Sequence, residues 1–226
     1  ERFESSRAAA WFDEFRPTLF FGVPTVYVRL LELPDDAAER IGAQTRLFVS
    51  GSAHLPAPVF DAFLGRFGHA ILERYGMTET GMNTSNPLDG ARLPGTVGPP
   101  LPGVQVRSVD QQNRDLPAGE TGQLLVKGAN VFKGYWRLPE KTAEEFSADG
   151  FFRTGDLARR DANGHISIVG RAKDLIISGG FNIYPKEIEG YLDKLDGVLE
   201  SAVIGVPHPD FGEAVIAVVV CKADAT

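Results

Sequence analysis

The sequence is poor in the residues that build reactive or metal-bound centres. It holds one cysteine, Cys221, among 226 residues, so no disulfide framework is possible and a reducing, cytoplasmic setting fits. Cys221 follows the apolar run Ala214 to Val220 and reads as a core residue, not a reactive thiol. The four histidines, His54, His69, His165 and His208, are far apart and offer no metal-ligand spacing. Positive charge is also scarce, with 23 Lys and Arg against 30 Asp and Glu and a net charge of -7. That balance argues against a nucleic-acid or acidic-membrane binder, since phosphate attraction needs an excess of basic residues on one face. Any anionic ligand must be met by a few placed groups. Apolar runs are too short to span a bilayer, and a starting methionine is missing. The start "ERFESSR" and the stop at "CKADAT", directly after a strand-like run, read as cuts in a longer polypeptide.

What is present is a chain with 43% hydrophobic residues, enough to bury the core of one large domain or of one domain and part of another. Residues 4 to 15 carry apolar side chains at helical spacing, stopped by Pro17. "TLFFGVP" then reads as a strand buried on both faces, followed by helical "TVYVRLLEL", strand "RLFVS", helix "APVFDAFLGRF" and strand "HAILERY". Alternation of this kind predicts an α/β fold, a parallel sheet covered by helices, with ligands bound beyond the carboxyl ends of the strands. Gly22, Gly51 with Ser52, and Gly76 with Thr78 fall just after these strands, so three polar loops converge if the strands are neighbours. From about Leu93 the punctuation by Pro and Gly, with "GQLLVKG", "DANG" and "HISIVG", predicts an antiparallel β subdomain. A small α+β unit begins near residue 171, with a helix from Pro185 to Leu195 and strands "ESAVIGVP" and "AVIAVVVC".

Three stretches carry chemistry. In "YGMTET" the glycine permits close backbone approach, a threonine hydroxyl can bond a phosphate oxygen, and a glutamate can hold the magnesium that travels with nucleotides. The same spacing also suits a capped loop before a helix. "RTGDLARRD" places Asp156 where a carboxylate could take both hydroxyls of a ribose. "GRAKDLIISGG" sets Arg171, Lys173 and Asp174 at the inferred domain junction, a pattern equally at home in a solvated turn.

Together "YGMTET", "GYW" with "PEKT", "GFFRTGDL" and "GRAKDLIISGGFNIYPKEIE" resemble the core motifs of the adenylate-forming enzymes, the superfamily of acyl-CoA synthetases, luciferases and nonribosomal adenylation domains. The resemblance runs over essentially the whole chain. It implies that residues 1–170 are part of a large AMP-binding domain and that residues 171–226 are the hinge and first part of a small C-terminal domain. It further implies ATP or AMP, Mg2+ and coenzyme A as ligands. Gly51, Ser52, Ala53, Tyr75, Gly76 and Met77 would flank the adenine, Thr78 would touch phosphate, and Glu79 would hold the metal. Asp156 and Arg171 would bind ribose, Lys173 would sit at the hinge, and Gly179 and Gly180 would line the path of the CoA thiol arm. The superfamily's upstream phosphate loop and C-terminal lysine have no match in these residues.

"VSGSAHL", "ERYGMTETGMNTSNP", "NVFKGYWRLPEKT" and "ESAVIGVPHPDFGE" resemble the malonyl-CoA synthetase branch. A dicarboxylate carries a second anion into the acyl pocket, and burying it is costly unless a cation meets it. The resemblance gives that task to Arg29 with Ser52 and makes Met82 a wall of the pocket. His54, where a proline is usual, and Gly81, where a bulkier residue is common, depart from the branch, and Gly81 leaves room for methylmalonate. The alternatives are a medium-chain or aryl acyl-CoA synthetase, and a nucleotide-binding fragment without turnover.

Overall fold

The computed structural model describes residues 3–222. Prolines and glycines set the ends of its first elements. Helix α1 (Ser5–Phe15) stops at Arg16, whose left-handed backbone precedes Pro17. Strand β1 (Leu19–Gly22) leads through Pro24 into α2 (Pro24–Leu30). A further helix, α3 (Asp35–Gln44), opens on two aspartates beside its N-terminus and buries Ala37, Ala38 and Ile41. Strand β2 (Leu47–Ser50), helix α4 (Ala57–Phe67) and strand β3 (Leu72–Met77) follow, with Gly68 closing α4 in the left-handed region.

β1, β2 and β3 are parallel neighbours, as the alternation predicts, and β4 (Gly81–Ser85) pairs antiparallel with β3. The helices share one core with the sheet through Phe12, Tyr27, Ile41, Phe63 and the β2 side chain Phe48. The Tyr27 hydroxyl is buried there and donates to the Val49 carbonyl at 2.6 Å. Leu47, Val49 and Leu72 form a separate apolar cluster.

Several expectations need correction here. β1 is an edge strand, with Leu19 41% and Phe21 64% exposed, so it is not buried on both faces. β3 begins at Leu72, not His69, and runs on through Gly76 to Met77. "YGMTET" is therefore the closing half of a strand and the turn of a hairpin, not a loop entering a helix. α3 is an element the sequence reading missed, because its apolar residues are small.

The middle of the chain forms the expected antiparallel meander, β5 (Gln105–Val109), β6 (Thr121–Lys127), β7 (Phe152–Arg160) and β8 (Ile166–Arg171), with α5 (Pro139–Glu145) between β6 and β7. Residues 97 to 101 strap it to the first sheet. On one side Ser85 N–H donates to the Pro99 carbonyl (3.2 Å) and Leu101 N–H to the Asn83 carbonyl (2.9 Å); on the other Val97 N–H donates to the Ile166 carbonyl (2.8 Å). This double pairing brings β7 and β8 against the end of β3.

After a 3-10 turn at Ala172–Asp174 come β9 (Ile176–Ser178), β10 (Phe181–Ile183), α6 (Pro185–Leu192), β11 (Val198–His208) and β12 (Gly212–Cys221). Their sheet order is β10-β9-β12-β11. α6 is one turn shorter than expected. Its Glu189 is buried and accepts from Val203 N–H at 2.8 Å while also pairing with Lys186. Cys221 is exposed at the end of β12, which corrects its reading as a core residue.

Candidate active site

The ends of β2, β3 and β8 and the start of α6 surround a cleft of about 670 Å³. The parallel sheet contributes Ser52 and Ala53 after β2 and the β3 residues Glu73 to Met77; the meander contributes Asp156 and Arg171; the 3-10 turn contributes Lys173. Asp156 and Arg171 lie on neighbouring strands and are directly paired across β7 and β8. That register sets their ion pair, Arg171 Nε to Asp156 Oδ1 at 3.4 Å.

Asp156 is 6% exposed. Its Oδ2 accepts from the Tyr75 hydroxyl at 2.5 Å, a bond between residues 81 positions apart. The Asp156 N–H donates to Thr154 Oγ1, whose hydroxyl donates to the Leu124 carbonyl. Burial raises the Asp156 pKa, opposed by the Tyr75 hydroxyl and the Arg171 charge. Burial, then the Asp156 carboxylate, pushes the Tyr75 phenol up, so Tyr75 remains a donor at neutral pH. The structure thus brings Tyr75, Asp156 and Arg171 into one polar chain. Arg171 itself is 61% exposed in its side chain, and its charge is largely solvated.

Thr78 and Glu79 form the β3–β4 turn, outside the lining of this cleft. Glu79 is half-buried and its Oε1 accepts from the Tyr135 hydroxyl at 3.3 Å. Its other lone pairs suit one hard cation shared with phosphate oxygens. Among the described residues no group of three or more His, Cys, Asp or Glu could hold a metal by itself, so magnesium fits here only as a partner of the nucleotide. Gly179 and Gly180 have φ of 56 and 83 and make the two-residue turn between β9 and β10, away from the cleft.

Two substrate residues of the sequence reading are not brought to the cleft. Arg29 lies on α2 with its guanidinium on Glu32 at 2.8 Å and its side chain 44% exposed. Met82 stands on β4, also exposed. Conversely, Glu73 and Arg74 line the cleft although the sequence reading gave them no role. The signal available was their place in "ERYGMTET": strand alternation sends neighbouring side chains to opposite faces, so a charged pair ending a buried strand must put at least one charge inside.

Glu73 is that inner charge, 1% exposed. Oε1 accepts from Leu55 N–H at 3.1 Å, which ties the turn after β2 to β3, while Oε2 has no protein partner. Burial raises its pKa from 4.5 to about 7, opposed by the Leu55 N–H. A carboxyl whose folded pKa lies above its unfolded one stabilises the fold fully below the unfolded value and loses that contribution as pH rises through the folded one. The Glu73 contribution should therefore disappear between pH 4.5 and about 7, a change of about 3 kcal/mol. Glu73→Gln cannot ionise. The unfolding free energy of the wild type minus that of the variant, from urea titrations, should fall by this amount across that window; a flat difference would mean Glu73 is ionised when folded.

A family model described as AMP-binding enzyme matches residues 1–136, and one described as AMP-binding enzyme C-terminal domain matches residues 187–226. The chain is 43% identical over 217 residues to a malonate–CoA ligase of Arabidopsis thaliana, covering 92% of this chain and 35% of that protein. It is 42% identical over 224 residues to a sulfoacetate–CoA ligase of Cupriavidus necator, covering 97% and 43%. Among solved structures, ATP-bound MatB from Rhodopseudomonas palustris superposes with a TM-score of 0.94 at 55% identity, over all of this chain and 44% of that one. The chain thus spans between about a third and a half of the length of the proteins it matches. With the first of these family models matching more than half of its residues, the chain belongs to the AMP-binding enzyme family.

Proposed function

We propose that this chain is the middle and junction part of an ATP-dependent acid:CoA ligase acting on malonate, with methylmalonate as a second acid. A carboxylate oxygen of the acid attacks the α-phosphorus of ATP and pyrophosphate leaves; the CoA thiolate then attacks the acyl carbon of the adenylate, and AMP leaves. The observation that carries this reading is the Tyr75–Asp156–Arg171 chain at the mouth of the cleft. A buried carboxylate held by a phenol and a guanidinium keeps its remaining lone pairs for the two hydroxyls of a ribose. The names of the Arabidopsis and Cupriavidus relatives add support, since malonate and sulfoacetate each carry a second anionic group.

In this reading the segment Gly51 to Ala53 and the strand residues Tyr75 to Met77 flank the adenine, Thr78 bonds phosphate, and Glu79 would hold a magnesium ion, which when bound neutralises phosphate charge. Lys173, on the turn between the meander and the third sheet, is the hinge between residues 1–170 and 171–226. Gly179 and Gly180 keep the β9–β10 turn slim where the CoA arm would pass. Enclosure of the acyl-adenylate between two domains protects it from water, and movement about the hinge gates both steps. A cytoplasmic setting goes with the single cysteine. Among the described residues no helix is long and apolar enough to cross a membrane.

The test is pyrophosphate release by the intact natural polypeptide across malonate, methylmalonate, sulfoacetate, a medium-chain acid and an aryl acid. Malonate should give the highest kcat/KM, and a better medium-chain or aryl acid would overturn the substrate. AMP binding without pyrophosphate release from any acid would leave a nucleotide-binding protein without turnover.

A further inference from the structure

One motif of the sequence, "GYW" with "PEKT", contributes nothing to the lining of the cleft. Its residues lie on the loop between β6 and α5 and on α5 itself, and from there the loop reaches the β3–β4 turn. Two bonds tie it to the backbone of that turn: Phe132 N–H donates to the Glu79 carbonyl at 2.8 Å, and Asn130 Nδ2 donates to the Thr80 carbonyl at 2.6 Å. A third takes the side chain. The Tyr135 hydroxyl donates to Glu79 Oε1 at 3.3 Å.

Tyr135 is itself fixed from three directions. Its N–H donates to Thr142 Oγ1 at 2.9 Å, and that hydroxyl donates to the Leu138 carbonyl at 2.8 Å, which locks the loop on the start of α5. Its ring meets Phe132 edge to face at 4.9 Å, and Phe132 packs in turn on Phe146 and Phe152. Lys141 Nζ lies over the Tyr135 ring, 5.5 Å from its centroid. Gly134 leaves room for this arrangement, since a Cβ there would stand 2.5 Å from Thr142 Cγ2. Gly134, Lys141 and Thr142 thus all serve the placement of one phenol. Trp136, between them, is 84% exposed. Lys141 pairs with Glu145 and not with Glu79, so among the described residues no cation meets the Glu79 carboxylate. A glutamate loses rotamer freedom when it holds a ligand, and a donor fixed behind it removes much of that loss in advance.

We propose that Tyr135 is a positioning residue for the metal of the nucleotide: its hydroxyl holds Glu79 Oε1 so that Oε2 is presented to a magnesium ion. The inference rests on the reading above that Glu79 holds magnesium. It gives "GYW" and "PEKT" a shared task, the support of a carboxylate that sits more than fifty residues earlier in the chain.

The test uses the intact natural polypeptide as wild type, Tyr135→Phe, Glu79→Gln, the two combined, and Trp136→Ala as a control for disturbance of the loop. Two quantities are read. One is the magnesium concentration that half-saturates pyrophosphate release at saturating ATP and the best acid. The other, without turnover, is the Kd of the α,β-methylene analogue of ATP with magnesium present and with the metal chelated. Tyr135→Phe should raise the magnesium requirement roughly 3- to 30-fold and weaken the analogue by a similar factor only when magnesium is present. Its thermal midpoint should match the wild type, because the ring and its contacts remain; a mere brace would move the midpoint and leave the magnesium requirement alone. On the Glu79→Gln background Tyr135→Phe should change neither quantity further, and Trp136→Ala should behave as wild type. An unchanged magnesium requirement in Tyr135→Phe, with Glu79→Gln raising it, overturns the inference and leaves the metal reading in place. An equal shift in Trp136→Ala does the same. Glu79→Gln without effect on the magnesium requirement overturns both.

Discussion

Asp156→Ala is expected to weaken ATP binding by about 3 to 5 kcal/mol, roughly 150- to 5,000-fold in Kd, because two charge-assisted hydrogen bonds to the ribose are lost together. The carboxylate is buried, already aligned by the Tyr75 hydroxyl and Arg171, and its N–H is fixed on Thr154. It therefore needs little ordering when ligand arrives. The substitution also leaves the Tyr75 hydroxyl without its acceptor, which should lower the unfolding free energy by about 1 to 3 kcal/mol. Titration calorimetry with a non-hydrolysable ATP analogue and urea unfolding separate the two effects. If stability falls while nucleotide affinity holds, Asp156 is a brace between β3 and β7 and not a ribose ligand. Asp156→Asn sharpens the distinction, since an amide oxygen still accepts from Tyr75 but carries no charge toward the ribose.

That triad shows how far a sequence can be read. Each member was identifiable from its own motif, but nothing in the spacing of Tyr75 and Asp156 says that they touch; the contact comes from the strap at 97 to 101, which pairs with β4 and β8 at once. The buried strand β2 was readable because it is apolar on both faces, and α4 because Pro56 and Gly68 bracket it. β4 was not, since "GMNTS" looks like a loop. Part of what holds it comes from long range: Asn130 Nδ2 donates to the Met82 carbonyl and to Asn83 Oδ1, while Asn83 Nδ2 donates locally to Thr80 Oγ1. The two arginines illustrate the same limit. Arg29 sits on an amphipathic helix, where spacing leaves its direction open, and Glu32 three residues on takes it outward. Arg74 is hidden inside a motif whose glycine and hydroxyls draw the attention, and its place in the cleft, against the Gly51 backbone, emerges only from the fold.

Gly76→Ala should cost more stability than any other single methyl in the candidate site, at least about 3 kcal/mol, and should disable nucleotide binding with it. The sequence suggests that this glycine is there to let a ligand approach the backbone. The structure supplies a nearer reason: an added Cβ would lie 2.2 Å from the Gly81 carbonyl oxygen and 3.1 Å from Met82 Cα, across the hairpin. Both contacts are backbone, so no side chain can swing aside, and β3 and β4 would have to part where the register shifts between Tyr75 and Gly76. Parting them moves Thr78 and Glu79 on the turn and loosens the Tyr75 hydroxyl from Asp156. Gly81→Ala is the matched control. Its φ of 57 carries a left-handed penalty of about 1 to 2 kcal/mol, but the nearest atom to its Cβ is 4.0 Å away. Thermal unfolding of the two variants should therefore separate by well over the experimental error, with Gly76→Ala the lower. Equal loss in both would mean that the hairpin yields easily at Gly76, and the ligand-approach account of this glycine would then regain its force.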